Sequence, residues 1–158
     1  MESKRYSSSD ALTALTMDLF RLNSRLLITG DRLVAELGLT SARWQILGAI
    51  VGAGEPRPVA WIARDMGGAR QNVQRIVNDL KDEGIVEFLP NPHHRRAHLV
   101  QLTGKGKKIY EAALKLWSPF VKELAKGLSR EGLDHARGIV NTLRERLETR
   151  LDSAVDGD

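Results

Sequence analysis

At 158 residues the chain has the length of one domain, or of one compact domain with extensions. It contains no cysteine, which excludes disulfides, thiolate metal sites and thiol redox sensing. Residues 1–10 lack the apolar stretch of a signal peptide, and no apolar run approaches the ~18 residues that span a bilayer, so a soluble cytoplasmic protein is expected. The net charge of +4 suits a polyanionic partner only if the cations are clustered.

Ser9-Asp10 offers an N-cap for a first helix. Leu12, Leu15, Leu19, Leu22, Leu26, Leu33 and Leu37 then recur at gaps of three, four and seven, one helical stripe. Thr29-Gly30 interrupts the stripe, by bending the helix or by letting another element approach closely. A helix from Asp10 to Leu37 would be ~40 Å long at 1.5 Å per residue. A small domain cannot cover that length, so the stripe is expected to pack on a second subunit. Gly38 stops the helix.

Thr40 caps a second helix, with Leu39 placed to staple against Trp44. Trp44, Leu47, Ile50 and Val51 are expected to form its buried face, and Gly52, Gly54 and Pro56 end it. Pro58 suits the first turn of a third helix carrying Ile62 and Met66 at i, i+4. Gly67-Gly68 makes a turn into a fourth helix, Ala69 to Glu83. There Val73, Ile76, Val77 and Leu80 face inward, and Gly84-Ile85 is the pattern of a Schellman stop.

Ile85 to Leu89 and Ala97 to Leu102 read as two strands joined by Asn91-Pro92-His93-His94-Arg95-Arg96. Thr103 caps a fifth helix, broken or bent at Pro119. Ser129 caps a sixth, with Leu133, Ala136, Val140, Leu143, Leu147 and Leu151 on one face. The acidic tail from Asp152 to Asp158 is expected to fray. No internal repeat or low-complexity linker is present.

Two features of this layout carry chemistry. With its apolar residues turned inward, the fourth helix presents Arg70, Gln71, Gln74, Arg75 and Asn78 outward. These side chains match base edges in a major groove, arginine to guanine and glutamine or asparagine to adenine. Acids enter the helix only at Asp79, Asp82 and Glu83. The second feature is the stretch Phe88 to Tyr110. It holds no acid but has Arg95, Arg96, Lys105, Lys107, Lys108 and three of the four histidines. A helix pair followed by a basic hairpin can grip duplex DNA twice, with a helix in one groove and a loop beside it. Arginine on such a loop suits the negative potential of a minor groove. Lys105 and Lys107 are read either as further phosphate contacts or as solvation of the start of the fifth helix, and Lys108 as the latter. The candidate DNA-binding set is Arg70, Gln71, Asn72, Gln74, Arg75, His94, Arg95 and Arg96.

Other chemistries find little support. In an extended strand His94 and His98 would share one face and His93 the other, with no cysteine and few acids to complete a metal shell. These rings are read as hydrogen-bonding groups, and neither metal nor cofactor is expected. There is no Gly-Xaa-Ser-Xaa-Gly elbow and no phosphate loop; Gly104-Lys105-Gly106 is only a fragment of one. An enzyme is therefore not expected.

The assembled pattern resembles the MarR family of winged-helix regulators. The stretches that carry the resemblance are Leu39-Thr40 to Leu47, Val73-Xaa-Arg75-Xaa-Val77-Xaa-Xaa-Leu80, Gly84-Ile85-Val86, and Arg95-Arg96-Ala97 leading to Val100-Xaa-Leu102-Thr103-Xaa-Xaa-Gly106. Trp117 and the helix start at Leu128-Ser129 also fit. The resemblance implies a mainly α winged helix of α+β type, with six helices and a two- to three-stranded β-wing. It implies a homodimer intertwined through the N- and C-terminal helices: a dimerisation helix over 1–38, a DNA-binding domain over 39–106 and further dimerisation helices over 107–158. It implies a transcriptional regulator, most simply a repressor, bound to a pseudo-palindromic operator and released by a small, often aromatic, ligand. A pocket between helices one, two and five, lined by Arg21, Arg25, Trp44 and Trp117, would take that effector, with Arg25 suited to a carboxylate and the two indoles to an aromatic ring. The plainer reading is that Trp44 and Trp117 are core and that the two arginines pair with acids or cap carbonyls. A winged module that docks proteins instead of DNA is the alternative, disfavoured by the cationic fourth helix.

Three positions depart from the family's pattern. His94 stands where an aspartate usually orients the wing arginine. Ala69 stands where serine or threonine often caps the recognition helix, a weakening of ~1 kcal/mol. Gly68 replaces an apolar turn residue. A more mobile reading head, ordered on binding DNA, is expected from these changes.

Overall fold

A computed structural model describes the chain over residues 7–155, with side chains as far as Leu151. The first helix, α1 (Ser8–Val34), begins two residues earlier than the sequence suggests. Ser7 is its N-cap: the Ser7 hydroxyl accepts from the Asp10 amide at 3.1 Å, and the Asp10 carboxylate accepts from the Ser7 amide at 3.0 Å. This reciprocal capping box satisfies two otherwise orphaned donors. The Ser7 hydroxyl, followed by its amide, holds the Asp10 carboxyl below its usual pKa of 3.8. That contribution is in place at neutral pH and fades as the pH falls through the lowered value. A single 3₁₀ turn, Ala35–Leu37, replaces the expected last turn of α-helix, and Gly38 ends it at φ 70°.

The interruption at Gly30 is a close approach. A side chain there would overlap Ser41 Oγ. Ser41 is buried, donates its hydroxyl to the Leu27 carbonyl at 2.7 Å, and gives its amide to Asp31 at 2.6 Å. The start of α2 (Ser41–Gly52) is thereby fixed against the last turns of α1, and the Thr40 hydroxyl accepts the Arg43 amide as its cap. Leu47 and Ile50 are buried as expected, and Trp44 is half-buried. Val51 is not buried; it is 45% exposed, and Ile46 takes the inward position. This helix is apolar nearly all round, so spacing alone does not choose its inner face.

Arg57–Pro58 forms a short strand, β1, for which the sequence pattern offers no signal. Pro58 precedes the next helix as its N-cap rather than sitting in its first turn. Its fixed φ of −67° suits an extended residue equally well. Then come α3 (Val59–Asp65) and α4 (Arg70–Asp82). The two remaining strands are β2 (Val86–Leu89) and β3 (Leu99–Leu102), each shorter than expected. The sheet is antiparallel in the order β1-β3-β2, with Arg57 opposite Val100 and Val86 opposite Leu102.

The core gathers Val34, Ile46, Leu47, Ile62, Val77, Leu80, Val86 and Val100 from both helices and sheet. Each fully buried residue of this kind contributes about 1.5–3 kcal/mol of transfer free energy. Next is α5 (Gly104–Leu124), which continues as helix through Pro119 instead of breaking there. Trp117 closes the first of two compact units and Ser118 opens the second. In the second unit Ser129 Oγ accepts the Gly132 amide at 3.0 Å, capping α6 (Arg130–Val155). Helix thus extends four residues into the acidic tail expected to fray; residues 156–158 lie outside the described part. Among the described residues, no helix is long and apolar enough to cross a membrane.

The N-terminus of α5 meets the start of the wing with no spare room. A β-carbon at Gly106 would overlap the backbone carbonyl of Ile85. Gly106→Ala is expected to lower stability by about 1–3 kcal/mol, the cost of overpacking a rigid neighbour. Gly104→Ala, where a β-carbon meets nothing within 4 Å, serves as the control. Urea midpoints of the two variants check this; equal midpoints would refute the close-packing account.

Candidate nucleic-acid interface

The fourth helix buries the residues its pattern assigned. Val73, Ile76, Val77 and Leu80 are all buried, at spacings of three, one and three that keep them on one side. The opposite side carries Arg70, Gln71, Asn72, Arg75 and Asn78, all exposed, with Gln74 half-buried beside them. Arg70, Gln71, Gln74, Arg75 and Asn78 line one continuous surface depression.

Several of these side chains are pre-arranged along the helix. Gln74 Nε2 donates to Asn78 Oδ1 at 3.0 Å, and Arg75 donates to Asn72 Oδ1 at 3.0 Å. Arg75 also lies 3.5 Å from Asp79, an exposed i, i+4 pair of small energetic weight. The stretch from Arg70 to Asn78 contains no acid. The helix N-terminus has no side-chain cap, because Ala69 offers no acceptor.

The C-terminal end is held much more firmly. Gly84 sits at φ 70°, its amide bonds Lys81 O at 2.9 Å, and the Ile85 amide bonds Leu80 O at 2.9 Å. This is the expected Schellman stop. Arg43 pairs with Glu83 at 2.5 Å while donating to Gly38 O at 2.8 Å. Lys105 donates to Glu83 O at 2.8 Å. That bond gives Lys105 a local anchoring role, a different placement from the phosphate contact considered for it.

The hairpin between β2 and β3 is closed by Asn91. Its amide Nδ2 donates to Ala97 O at 2.8 Å, and its Oδ1 accepts the His93 amide at 3.0 Å. The wing therefore has an internal brace although position 94 is histidine. His93 and His94 lie in this turn, so the strand alternation that would have shared out the histidine faces does not apply. His98 stacks nearly parallel on Phe88, with centroids 5.9 Å apart. Among the described residues no cluster of three or more His, Asp or Glu side chains could hold a metal.

Arg95 and Arg96 are exposed on the wing. Arg96 and His98 face Arg70 and Gln74 across a narrow cleft of about 100 Å³. The outer face of α4 and the wing are thus neighbours, and two arginines from different elements flank the gap between them.

The residues singled out for an effector are only partly brought together. Trp44 and Trp117 meet edge to face, with centroids 5.3 Å apart and planes at 75°. Both line a cavity of about 440 Å³ with Asn23, Leu26, Leu27, Gln45, Gly48 and Tyr110. Arg21 and Arg25 do not line it. At 100° per residue they fall on the side of α1 opposite Asn23, Leu26, Leu27 and Gly30. Arg21 instead pairs with Asp18 at 3.0 Å. Asn23, Ser41, Gln45 and Tyr110 are the polar lining residues that the sequence did not single out.

Comparison with known proteins adds a family and a fold. The sequence profile of the MarR family matches residues 37–97. An uncharacterised protein of Mycobacterium tuberculosis is 38% identical over 104 residues, covering 66% of this chain and 71% of that protein. The transcriptional activatory protein BadR of Rhodopseudomonas palustris is 30% identical over 125 residues, covering 70% of this chain and 69% of BadR. The crystal structure of a mutant MarR from E. coli, complexed with operator DNA, shares the fold. It superposes with a TM-score of 0.74 at 22% identity, covering 87% of this chain and 98% of that one.

The Asn91 brace gives a direct test of how the wing is held. Asn91→Ala should cost about 1 kcal/mol locally, the net worth of a hydrogen bond. Amide hydrogen exchange at His93 and Ala97 should accelerate while amides of α4 stay protected. Unchanged exchange in the turn would show that Asn91 is not the brace.

Proposed function

The chain belongs to the MarR family, and on that premise we propose that it is a transcriptional regulator that binds operator DNA as a homodimer. The observation that carries the reading is the paired cationic surface. The acid-free outer face of α4 from Arg70 to Asn78 lies beside a wing that presents Arg95 and Arg96. In this reading Arg70, Gln71 and Gln74 enter a major groove, with Asn72 and Arg75 alongside. Arg95, Arg96 and His94 approach the adjacent minor groove and its phosphates.

Dimerisation is assigned to the N- and C-terminal helices, taken as 1–38 and 107–158 around a DNA-binding segment 39–106. In its support, α1 leaves Leu12, Leu15, Met17, Phe20, Leu22 and Leu26 exposed on the protomer. By itself α6 exposes Leu133, Ile139, Val140, Leu147 and Leu151. Apolar surface on this scale marks an interaction face. A twofold dimer would place two α4 helices in successive major-groove turns, with half-site centres about 10 bp apart.

The protein is read as a repressor in the cytoplasm and as a binding protein without catalysis. Release by a small ligand is assigned to the Trp44–Trp117 cavity. Its ring-bearing wall supports that assignment, and Arg21 and Arg25 are left out of it.

Duplexes selected from a genomic library, titrated at two salt concentrations, test the reading. Specific Kd is expected at ~10⁻⁸ to 10⁻¹¹ M. Arg70→Ala or Gln74→Ala should relax base preference, at about 1–3 kcal/mol per lost contact. Arg96→Ala should weaken binding to all sequences and flatten the salt dependence. Binding by all three variants at wild-type strength and selectivity would remove α4 and the wing as the reading head.

A further inference from the structure

A second cavity, also about 440 Å³, opens beside the C-terminal turn of α2 and is walled by β3 and α5. Its size lies in the ~300–1,000 Å³ range of small-molecule sites. It is distinct from the tryptophan-lined cavity, although Tyr110 and Leu114 border both. Ile50, Val100 and Leu102 are buried core residues that form its apolar floor, and Pro56, Val51 and Leu114 extend that surface toward the opening.

Three charged groups border it: Glu55, Lys107 and Glu111. Glu55 is already engaged, with its carboxylate 2.5 Å from Arg57. Lys107 and Glu111 are both exposed, one helical turn apart on α5, and neither takes part in an ion pair among the described residues. A lysine N-terminal to its acid is the weaker orientation for an i, i+4 pair, which fits their remaining apart. The cavity therefore combines an apolar floor with one cation and one anion at the same edge.

We propose that this cavity binds an α-amino acid with a large apolar side chain. Its carboxylate meets Lys107, its ammonium meets Glu111, and its side chain covers Ile50, Val100 and Leu102. A simple carboxylate would bring its charge against Glu111, and a simple amine would bring its charge against Lys107. Only a ligand carrying both charges on one end matches both groups, and both charges stay at the wet opening where desolvation costs least. None of these residues belongs to the outer face of α4 or to the wing tip, so the site does not use the proposed reading head; it takes only Lys107 from the residues weighed as phosphate contacts.

Isothermal titration of the full-length protein with L-phenylalanine, L-leucine and L-tryptophan tests the proposal, with hydrocinnamate and phenethylamine as single-charge analogues. At least one amino acid should bind saturably, and about tenfold more tightly than either analogue. Lys107→Glu and Glu111→Lys should each weaken that binding about tenfold, and the double exchange should restore it. Val51→Trp should block the cavity, whereas Gln45→Trp, in the tryptophan-lined cavity, should leave binding unchanged. The proposal is overturned if none of the three amino acids gives saturable heat. It is equally overturned if the single charge reversals bind as wild type, or if Gln45→Trp abolishes binding while Val51→Trp does not.

Discussion

The Thr103 hydroxyl shares its hydrogen between the carbonyl oxygens of Gly84 and Ile85, at 2.7 and 3.1 Å, and accepts the Gly106 amide at 3.1 Å. Three elements end or begin within this small volume: the helix α4, the first long wing strand β2 and the helix α5. Gly106 lies so close beneath Ile85 that a β-carbon has no place there. Lys105 reaches from the same turn to Glu83 O, and Arg43 reaches Glu83 from α2. The angle between the helix and the wing follows from this junction. Without it, the cationic face of α4 and Arg96 would each exist but would not border one cleft.

The junction also makes the helix unequal at its two ends. At Glu83 and Gly84 the carbonyls of α4 are all but fully engaged by backbone and side-chain donors. At Ala69 no side chain assists the first turn, and the preceding Gly67-Gly68 turn has little side chain to pack. Such an arrangement holds direction at one end and leaves adjustment to the other. The wing shows a related economy. A single asparagine, bonding across the turn to the Ala97 carbonyl and the His93 amide, braces a turn in which position 94 is histidine.

How far the sequence could be read depended on whether each signal was local and one-sided. The inner face of α4 was legible because four apolar residues fall on one side of an otherwise polar helix. The Schellman stop at Gly84-Ile85 and the caps at Thr40, Thr103 and Ser129 are local chemistry and stood where the sequence placed them. Val51 was misassigned because α2 has apolar residues on every side, so only packing selects Ile46 over it. The strand β1 escaped notice because two residues carry no period. Arg21 and Arg25 were grouped with the tryptophans by chemical suitability, while the turn of α1 carries them to the opposite side. The Asn91 brace, the Arg43–Glu83 pair and the Lys105 cap link residues 6, 40 and 22 positions apart. No spacing rule reveals such partners.

The edge-to-face contact of Trp44 and Trp117 has an optical consequence. Two indoles 5.3 Å apart and inclined at 75° have electronic transitions that couple, which lends the pair a chiral absorption signature. Trp61, the third indole of the chain, lies instead beneath the Arg57 guanidinium. The molecule therefore carries a built-in chromophore pair whose circular dichroism depends on the mutual tilt of α2 and α5, and it can register their smallest reorientation without any attached label.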